Sequence, residues 1–524
     1  MSIANEIIST NGLLQNSGGA NTTFSGNVTL IGNQTFQPNA GASILNFTGN
    51  VVGDSNATWT LRLGVTSFVN PLITYPDTIF ANHSSGNNQL ITLQIGNGTN
   101  MTSKINGGNH NPRLELVPGA TSGEFSGQII AQRNNDGAFD VRVGTGQTVL
   151  LSGNYVGEPP AGDDPGLDKG GDGLLVMIGN NTYSSRTQIQ NGTVQIGNEI
   201  GNGRYTGSLG RGAVQFQNNC HLVLNRDNIY VVPNAISGNG NLTMNGTDFT
   251  ILTGGNSFNG TTTINAGTLQ IGNSGTTGTL GTGPVVINNN ATLRFNRTNT
   301  LQVNNDISGP GQVANNGVGI TNLAGNNTYS GNTTVNFGTL RINGNHSAAT
   351  GPVLVKVGAA LGGNGTIGSS TTVRNNGGLS FNLSTNAASH DSLLIESGLT
   401  LEGASNLTIT TSGNDTTTGS YTLLTATGGF TGVAPATLNV PAGWVASASK
   451  AGNNLVLNVL SMNVTVAFET SGQSVAEDAG TAQLTVKADP IPTNATTTLT
   501  AVVTFDAATA RPRWTISATS AIRR

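Results

Sequence analysis

The sequence contains three copies of one segment that align without gaps. Each copy carries an aromatic residue at the same place, Tyr183, Phe258 and Tyr329, so successive copies stand 75 and 71 residues apart. Self-similarity at a fixed long period is the signature of repeat architectures, in which stacked units share one core. The aligned copies are residues 167–197, 242–272 and 313–343.

Within each copy the side chains alternate in the manner of a strand. Leu269 and Ile271 are apolar, whereas Thr268 and Gln270 are polar, which indicates a strand with one buried face. The runs are short and end at Gly or Asn, residues that tolerate sharp corners. Short strands joined by corners predict a coil of stacked rungs, with about three rungs of roughly 20–25 residues in each period.

Composition supports a β-rich scaffold and excludes several classes of partner. Only 9% of residues are charged and the net charge is −4, so the chain lacks the basic stripe that nucleic acid requires. No apolar run approaches the roughly 20 residues that span a bilayer. One cysteine, Cys220, excludes an intrachain disulfide. Aligned with Ala291, it is expected to be a small buried residue, and the adjacent His221 is expected to face solvent.

The aligned copies resemble the autotransporter-associated β-strand repeat. This resemblance implies a right-handed parallel β-helix, of the kind found in passenger regions of autotransporters and in large bacterial surface proteins. It also implies an extracellular or cell-surface location, although no secretory signal is visible at the start of the sequence. The family's repeats share no catalytic residues, so the resemblance predicts the architecture but says little about activity. The residues that fit the pattern are Leu167, Lys169, Gly171, Gly173, Gly179, Asn181, Thr182, Tyr183, Gly192, Thr193 and Val194.

The repeats divide the chain into regions of different character. We expect degenerate rungs first, then an acidic segment rich in Pro and Gly that is an insertion or a linker, then regular repeats whose units start near residues 167, 242 and 313. Terminal rungs and a cap follow, and then a partial Calx-beta-like segment that resembles the start of a β-sandwich domain. An atypical arginine-rich tail suggests a truncated chain or a shifted reading frame near residue 510. The corresponding ranges are 1–157, 158–166, 167–385, 386–460, 463–510 and 511–524.

The acidic insertion and the Calx-beta-like segment provide weak candidates for calcium ligands. Carboxylates cluster at Asp163, Asp164, Asp168 and Asp172, and Ca²⁺ favours several oxygen ligands. The cluster lacks the spacing of an EF-hand, and Asp168 and Asp172 align with ordinary turn positions of the other copies. Glu477 occupies a position that often contributes to calcium binding in Calx-beta domains. We therefore expect no required metal or other cofactor, with Ca²⁺ as the alternative.

A polysaccharide-acting β-helix enzyme is the main catalytic alternative. Such an enzyme needs carboxylates paired across a sugar, or basic residues with bound calcium. Asp140 and Asp164 are 24 residues apart and stack if one rung separates them, but no Lys or Arg in that loop repeats the spacing. The five histidines are dispersed and no pair has metal-ligand spacing. Surface turns explain both aspartates more simply.

The sequence thus predicts a non-enzymatic structural or adhesive β-helix with no catalytic residues. Its Asn- and Thr-rich exterior favours many weak hydrogen bonds, so surface glycans or other cells are the expected partners, without nucleic acid and without a membrane span in this chain. The alternatives are the polysaccharide-acting enzyme and a calcium-dependent glycan-binding module.

Overall fold

A computed structural model describes residues 119–131, 138–157, 166–197, 206–384, 391–411 and 418–462, together with short strands outside these ranges. These parts contain strands, turns and no α-helix, and therefore no helix that could cross a membrane. The chain divides into two compact units. The first contains residues 1–320 and 325–332, and the second contains residues 321–324 and 333–524.

The strands are short and are numbered here in chain order. The first twenty are β1 (Ser2–Ile3), β2 (Ile7–Ser9), β3 (Gly12–Asn16), β4 (Thr22–Phe24), β5 (Val28–Leu30), β6 (Gln34–Pro38), β7 (Leu45–Phe47), β8 (Val51–Gly53), β9 (Trp59–Leu63), β10 (Ile73–Thr74), β11 (Thr78–Phe80), β12 (Ile91–Ile95), β13 (Thr99–Met101), β14 (Lys104–Asn106), β15 (Pro112–Leu116), β16 (Ser122–Phe125), β17 (Ile129–Ala131), β18 (Phe139–Arg142), β19 (Thr148–Leu151) and β20 (Tyr155–Gly157). The next eighteen are β21 (Leu167–Gly170), β22 (Leu174–Met177), β23 (Thr187–Ile189), β24 (Thr193–Ile196), β25 (Val214–Leu224), β26 (Tyr230–Val232), β27 (Ile236–Met244), β28 (Phe249–Leu252), β29 (Thr262–Ile264), β30 (Thr268–Gly275), β31 (Val285–Ile287), β32 (Thr292–Arg297), β33 (Leu301–Val303), β34 (Ile307–Ser308), β35 (Gln312–Asn315), β36 (Ile320–Leu323), β37 (Thr333–Val335) and β38 (Thr339–Ile342). The last eighteen are β39 (Asn345–His346), β40 (Val353–Val355), β41 (Ala360–Gly362), β42 (Thr366–Ile367), β43 (Thr371–Val373), β44 (Gly378–Leu383), β45 (Leu393–Ile395), β46 (Leu399–Leu401), β47 (Asn406–Thr411), β48 (Gly419–Ala426), β49 (Phe430–Thr431), β50 (Thr437–Asn439), β51 (Trp444–Ala451), β52 (Asn454–Met462), β53 (Thr465–Phe468), β54 (Val486–Asp489), β55 (Leu499–Ala501) and β56 (Ile516–Ala518).

The strands of the first unit pair in parallel with strands one rung earlier and one rung later. Leu242 lies opposite Thr262, which lies opposite Val285, which in turn lies opposite Ile307. Partners that are one full turn apart in the sequence therefore become neighbours across a hydrogen-bonded ladder. This arrangement confirms the all-β fold and the parallel β-helix predicted from the repeats.

The strand alternation places apolar side chains inside the coil. Ile264 and Ile287 are fully buried, whereas Thr263 and Val286, each one position earlier on the same strands, are partly exposed. Every inner side chain packs against the equivalent position of the rungs before and after it, so the core is continuous from rung to rung. The burial of apolar surface between rungs is the main favourable contribution to folding.

The three repeat copies start on three different sides of the first unit. Copy one starts in β21, in the column that contains β18, β21, β23 and the first halves of β25 and β27. Copy two starts in the second half of β27, which belongs to the column with β29, β31 and β34. Copy three starts in β35, in the column with β26, β28, β30 and β32. One repeat period therefore covers three complete rungs and one further side of the coil. The length of the period had predicted three rungs only.

The second unit contains three columns of parallel strands. One column is β38, β41, β44, β47 and β50, another is β40, β43, β46 and β49, and the third is β39, β42, β45 and β48. At β48 the parallel pattern stops, because β52 pairs antiparallel to β48 and β51 pairs antiparallel to β52. This hairpin covers the edge that β48 would otherwise expose.

The Calx-beta-like segment falls mostly outside the described residues. In this part of the chain the structure places two short antiparallel pairs, β53 with β54 and β55 with β56. The resemblance of residues 463–510 to a Calx-beta domain stays a prediction.

Candidate functional site: shared rung contacts and a charged face

A buried asparagine in each of two copies joins three successive rungs. Asn256 accepts a hydrogen bond from the Ile236 backbone N–H at 2.9 Å and donates one to the Thr279 carbonyl oxygen at 2.7 Å. Asn181, its equivalent one copy earlier, has the same two contacts, with the rung before it and the rung after it. A buried amide that is paired on both sides stabilises the stack, whereas an unpaired one would cost about 1–3 kcal/mol.

A second asparagine binds two carbonyl oxygens of the preceding rung. The Nδ2 atom of Asn305 donates to Gly281 at 2.8 Å and to Gly283 at 2.6 Å. Asn234 makes the matching contacts one copy earlier, at 2.7 and 2.6 Å. Both asparagines are buried, so these bonds satisfy corner carbonyls that lie outside the strand ladders.

The shared Leu-Gly pair of the repeat has a packing explanation. A Cβ atom on Gly281 would lie 2.4 Å from the Phe258 carbonyl oxygen and 2.8 Å from its buried ring, and one on Gly210 would lie 2.3 Å from the ring of the buried Tyr183. Glycine at these positions lets the backbone lie directly against the aromatic ring of the rung before. The aromatic and the glycine of successive rungs therefore form one packing unit.

The shared Asn-Arg pair holds a corner loop. Arg226 donates from Nη1 to the Gly207 carbonyl at 2.6 Å, and Arg297 donates from Nη1 to the Gly278 carbonyl at 2.9 Å. Burial lowers the pKa of both guanidinium groups from their ordinary value. Like the asparagines and glycines, these arginines serve the stack.

Lys169 is fully buried at a corner of copy one. Its Nζ atom donates to the carbonyl oxygens of Gly171 at 2.6 Å and Asn191 at 3.0 Å. Desolvation lowers its pKa to about 8, an effect that Asp172 opposes. Both hydrogen bonds of Nζ go to corner carbonyl oxygens, so Lys169 stabilises the corner, although the equivalent residue of copy two is the apolar Met244. The residues that the copies share are structural, and a functional site is expected among residues that they do not share.

One outer surface of the first unit concentrates charge in a chain that has few charged residues. It lies on the column of β15, β18 and β21 and at the corner before β23. We call it the charged face. It consists of Arg113, Glu115, Asp140, Arg142, Asp168 and Arg186.

Asp140 lies at the centre of the charged face and is held by two arginines. Arg113 donates from Nε to Asp140 Oδ2 at 2.8 Å, and its Nη2 atom lies 2.7 Å from the same oxygen. Arg142 Nε lies 2.8 Å from Asp140 Oδ1. Gly170 makes room for this arrangement, because a Cβ atom there would lie 2.1 Å from Arg142 Nη1. Charge-assisted bonds of this kind are about twice as strong as neutral ones.

Asp168 lies directly beside Asp140 on the next rung but is held less firmly. Its Oδ1 atom is buried and accepts no hydrogen bond from any described residue, and Arg186 Nη2 lies 3.7 Å away. Arg186 instead donates to Gln188 Oε1 at 2.8 Å. Burial raises the pKa of the Asp168 carboxyl above its usual value; Arg186 opposes this shift and Asp140 adds to it.

The structure corrects the positions expected for the aspartates. Asp140 and Asp168 lie on strands β18 and β21, opposite each other on successive rungs, so the turn positions expected for them are wrong. Asp164, which the enzyme alternative would stack with Asp140, lies outside the described residues. The three arginines of the charged face were missed, because a search for a 24-residue spacing within one loop does not detect them. Their signal in the sequence is the longer rung of this region, which places Arg113 beside Asp140 and Asp140 beside Asp168.

The calcium candidates are only partly described. Asp168 lies on a strand, and Asp172 lies at the following corner, where Thr145 donates to it at 3.5 Å. Asp163, Asp164 and Glu477 lie outside the described residues. Among residues that the structure places, no three His, Cys, Asp or Glu side chains group as metal ligands would. Calcium binding stays a prediction.

The cysteine and two of the histidines take defined positions. Cys220 is buried and its thiol donates to the Ile189 carbonyl oxygen at 3.2 Å, while His221 beside it is exposed. Burial raises the pKa of the Cys220 thiol, which makes it less reactive. His346 is buried, and desolvation lowers its pKa to about 4.

A β-helix whose shared residues bind successive rungs together defines a class: solenoids assembled from one repeated sequence unit. The family model of the passenger-associated-transport-repeat matches residues 167–196, 237–271 and 316–342. The chain therefore carries three copies of this repeat, and the resemblance to autotransporter-associated repeats is confirmed.

Part of the chain is also similar to a curated autotransporter. The chain is 44% identical over 117 residues to the adhesin BmaC autotransporter of Brucella suis biovar 1 (strain 1330). The match covers 22% of this chain and 3% of that protein, so the chain corresponds to a small part of the relative's length.

Proposed function

We propose that this chain is a non-enzymatic, adhesive scaffold of the autotransporter passenger type, located at the cell surface or outside the cell. The proposal is supported by a difference between shared and unshared residues. Those that the repeat copies share bind rung to rung, and this leaves the outer side chains to vary without loss of the fold. The relative's description as an adhesin supports the same function.

The proposed absence of catalysis rests on the ion pairs that Asp140 forms. Asp140 is held by Arg113 and Arg142, and these ion pairs occupy the carboxylate oxygens that a catalytic carboxylate would present to a sugar. Release of reducing ends from pectin, alginate or a β-glucan by the purified chain would contradict the proposal. The matched control is the chain carrying Asp140→Asn, which would lose such an activity.

The adhesive function is tested on whole cells. Cells that display the complete gene product are expected to bind more strongly to host cells or to immobilised glycans than cells without it, and to lose this binding after protease shaving. If shaving leaves the protein intact because it remains inside the cell, the surface assignment is wrong. If shaving removes the protein but binding does not change, the adhesive function is wrong.

A further inference from the structure

We propose that the charged face is a binding site for an uncharged polysaccharide, which it recognises through paired hydroxyl groups. This inference rests on the proposed adhesive function and names the ligand class and the residues for it. The face occupies adjacent rungs of one parallel sheet, so its side chains stand about 4.8 Å apart along the axis. Such a ladder matches an extended ligand with repeated polar groups.

The positive and negative charges of the charged face are equal in number. Arg113, Arg142 and Arg186 supply three positive charges, and Glu115, Asp140 and Asp168 supply three negative charges. An anionic chain would be attracted by the arginines but repelled by the neighbouring carboxylates, and a cationic chain would experience the reverse. An uncharged ligand avoids both repulsions, because like charges brought together at an interface are costly.

Asp168 and Arg186 lie close together without a direct hydrogen bond. Their charged atoms lie 3.7 Å apart, beyond hydrogen-bond distance, and Asp168 Oδ1 lacks a donor among the described residues. Oδ1 itself is buried, and the Arg186 side chain beside it is 50% exposed, so a ligand reaches this oxygen only when the arginine side chain turns outward. One hydroxyl group placed there accepts from the guanidinium and donates to Oδ1.

The polar groups of the charged face have a shape that suits sugar hydroxyl groups. Guanidinium, carboxylate and amide groups are planar and present several donors or acceptors side by side. This presentation suits two adjacent hydroxyl groups of a sugar ring. Gln188 and Gln215 continue the outer ladder beyond Asp168 in the same register, so the polar surface extends over further rungs without added charge.

The test is affinity electrophoresis of the purified chain through gels that contain a dissolved polysaccharide. Three uncharged polymers are used, namely hydroxyethyl cellulose, galactomannan and dextran, together with the anionic polymer alginate. We expect retardation by at least one uncharged polymer. The variant Asp168→Asn with Arg186→Gln removes both charges and is expected to bind about tenfold more weakly, as loss of charge-assisted hydrogen bonds predicts.

The control variant removes a comparable ion pair elsewhere. Arg374 donates from Nη1 to both carboxylate oxygens of Glu402 at 3.0 and 2.9 Å, on exposed outer positions of the second unit. Arg374→Gln with Glu402→Gln is expected to leave retardation unchanged. The single variant Arg186→Gln changes an exposed residue, so it still reports on binding if the double variant does not fold.

Three results would overturn the proposal. They are no retardation by any uncharged polymer, retardation by alginate alone, and equal loss of binding in the charged-face and control variants. If displayed protein still mediates cell adhesion while no uncharged polymer binds, the ligand assignment fails but the adhesive function stands. If adhesion to cells is also absent, both fail.

Discussion

Replacement of His346 by isoleucine is expected to remove a specific loss of stability in mild acid. His346 lies inside the second unit on β39, and its register neighbour on the next rung is Ile367, which lies opposite Ile395 on the rung after that. The histidine is 2% exposed. Isoleucine at this position continues a column of isoleucines, so the change removes the titration while it keeps an apolar side chain in the core.

The magnitude follows from the difference between the two pKa values of the imidazole. Desolvation lowers the pKa to about 4 in the folded protein, from 6.5 in the unfolded chain. Well above pH 6.5 the group is neutral in both states and its titration has no effect on stability. As the pH falls through 6.5 the unfolded chain binds a proton that the folded protein does not bind, so the free energy of unfolding decreases. This loss is about 2 kcal/mol at pH 5 and about 3 kcal/mol at pH 4.

Hydrogen exchange measured by mass spectrometry on peptides from residues 345–395 is the suitable assay, since long repeat arrays do not unfold in one step. The native protein and His346→Ile are compared at the same pH, so that the intrinsic dependence of exchange on pH cancels. Between pH 7 and pH 5 the exchange rate of the native protein should increase about twentyfold relative to the variant. The buried ion pair of Arg341 with Asp391 is present in both proteins and cancels in the same way.

A ratio of exchange rates that stays constant between pH 7 and pH 5 would refute the reasoning. It would mean that the folded protein binds a proton at His346 as readily as the unfolded chain does. Peptides from the first unit, such as those around Ile264, are the internal control and should show no difference between the two proteins at either pH.

Two further substitutions test the contacts that the repeat copies share. Asn305→Ala removes the donor to two corner carbonyl oxygens, one buried and one partly buried, and is expected to destabilise the first unit by about 2–3 kcal/mol. Asn304→Ala, on the exposed side of the same turn, should cost less than about 0.5 kcal/mol. Equal hydrogen-exchange protection of first-unit peptides in the two variants would contradict the role assigned to Asn305. Gly281→Ala should cost several kcal/mol, about 3 or more, because the new methyl group would lie 2.4 Å from the Phe258 carbonyl oxygen and 2.8 Å from its buried ring. Gly255→Ala meets nothing within 4 Å and should be nearly neutral. Hydrogen exchange of first-unit peptides that ranks these two variants in the opposite order would argue against the packing role of Gly281.

Much of the fold could be predicted from residue pattern alone. The alternation around Leu269 and the glycines at the corners predict short strands in a coil, because the side-chain period of a strand is two and does not depend on distant residues. The recurring aromatic at Tyr183 and Phe258 was recognised as a repeat marker, and both are buried. The identity of the shared polar residues was visible too, but their partners were not, since each partner lies on another rung.

The charged face becomes visible only once the rungs are stacked. Arg113, Asp140 and Asp168 are far apart in the sequence and become neighbours because one long rung separates each from the next. The rungs of the second copy, such as the one from Leu242 to Thr262, are shorter, so no fixed period aligns the outer side chains in advance. Inner positions repeat because burial constrains them, which is why the sequence alone determined the coil. At outer positions, the number of residues in each corner determines which side chains become neighbours on successive rungs. Those neighbours are therefore known only from the stacked structure.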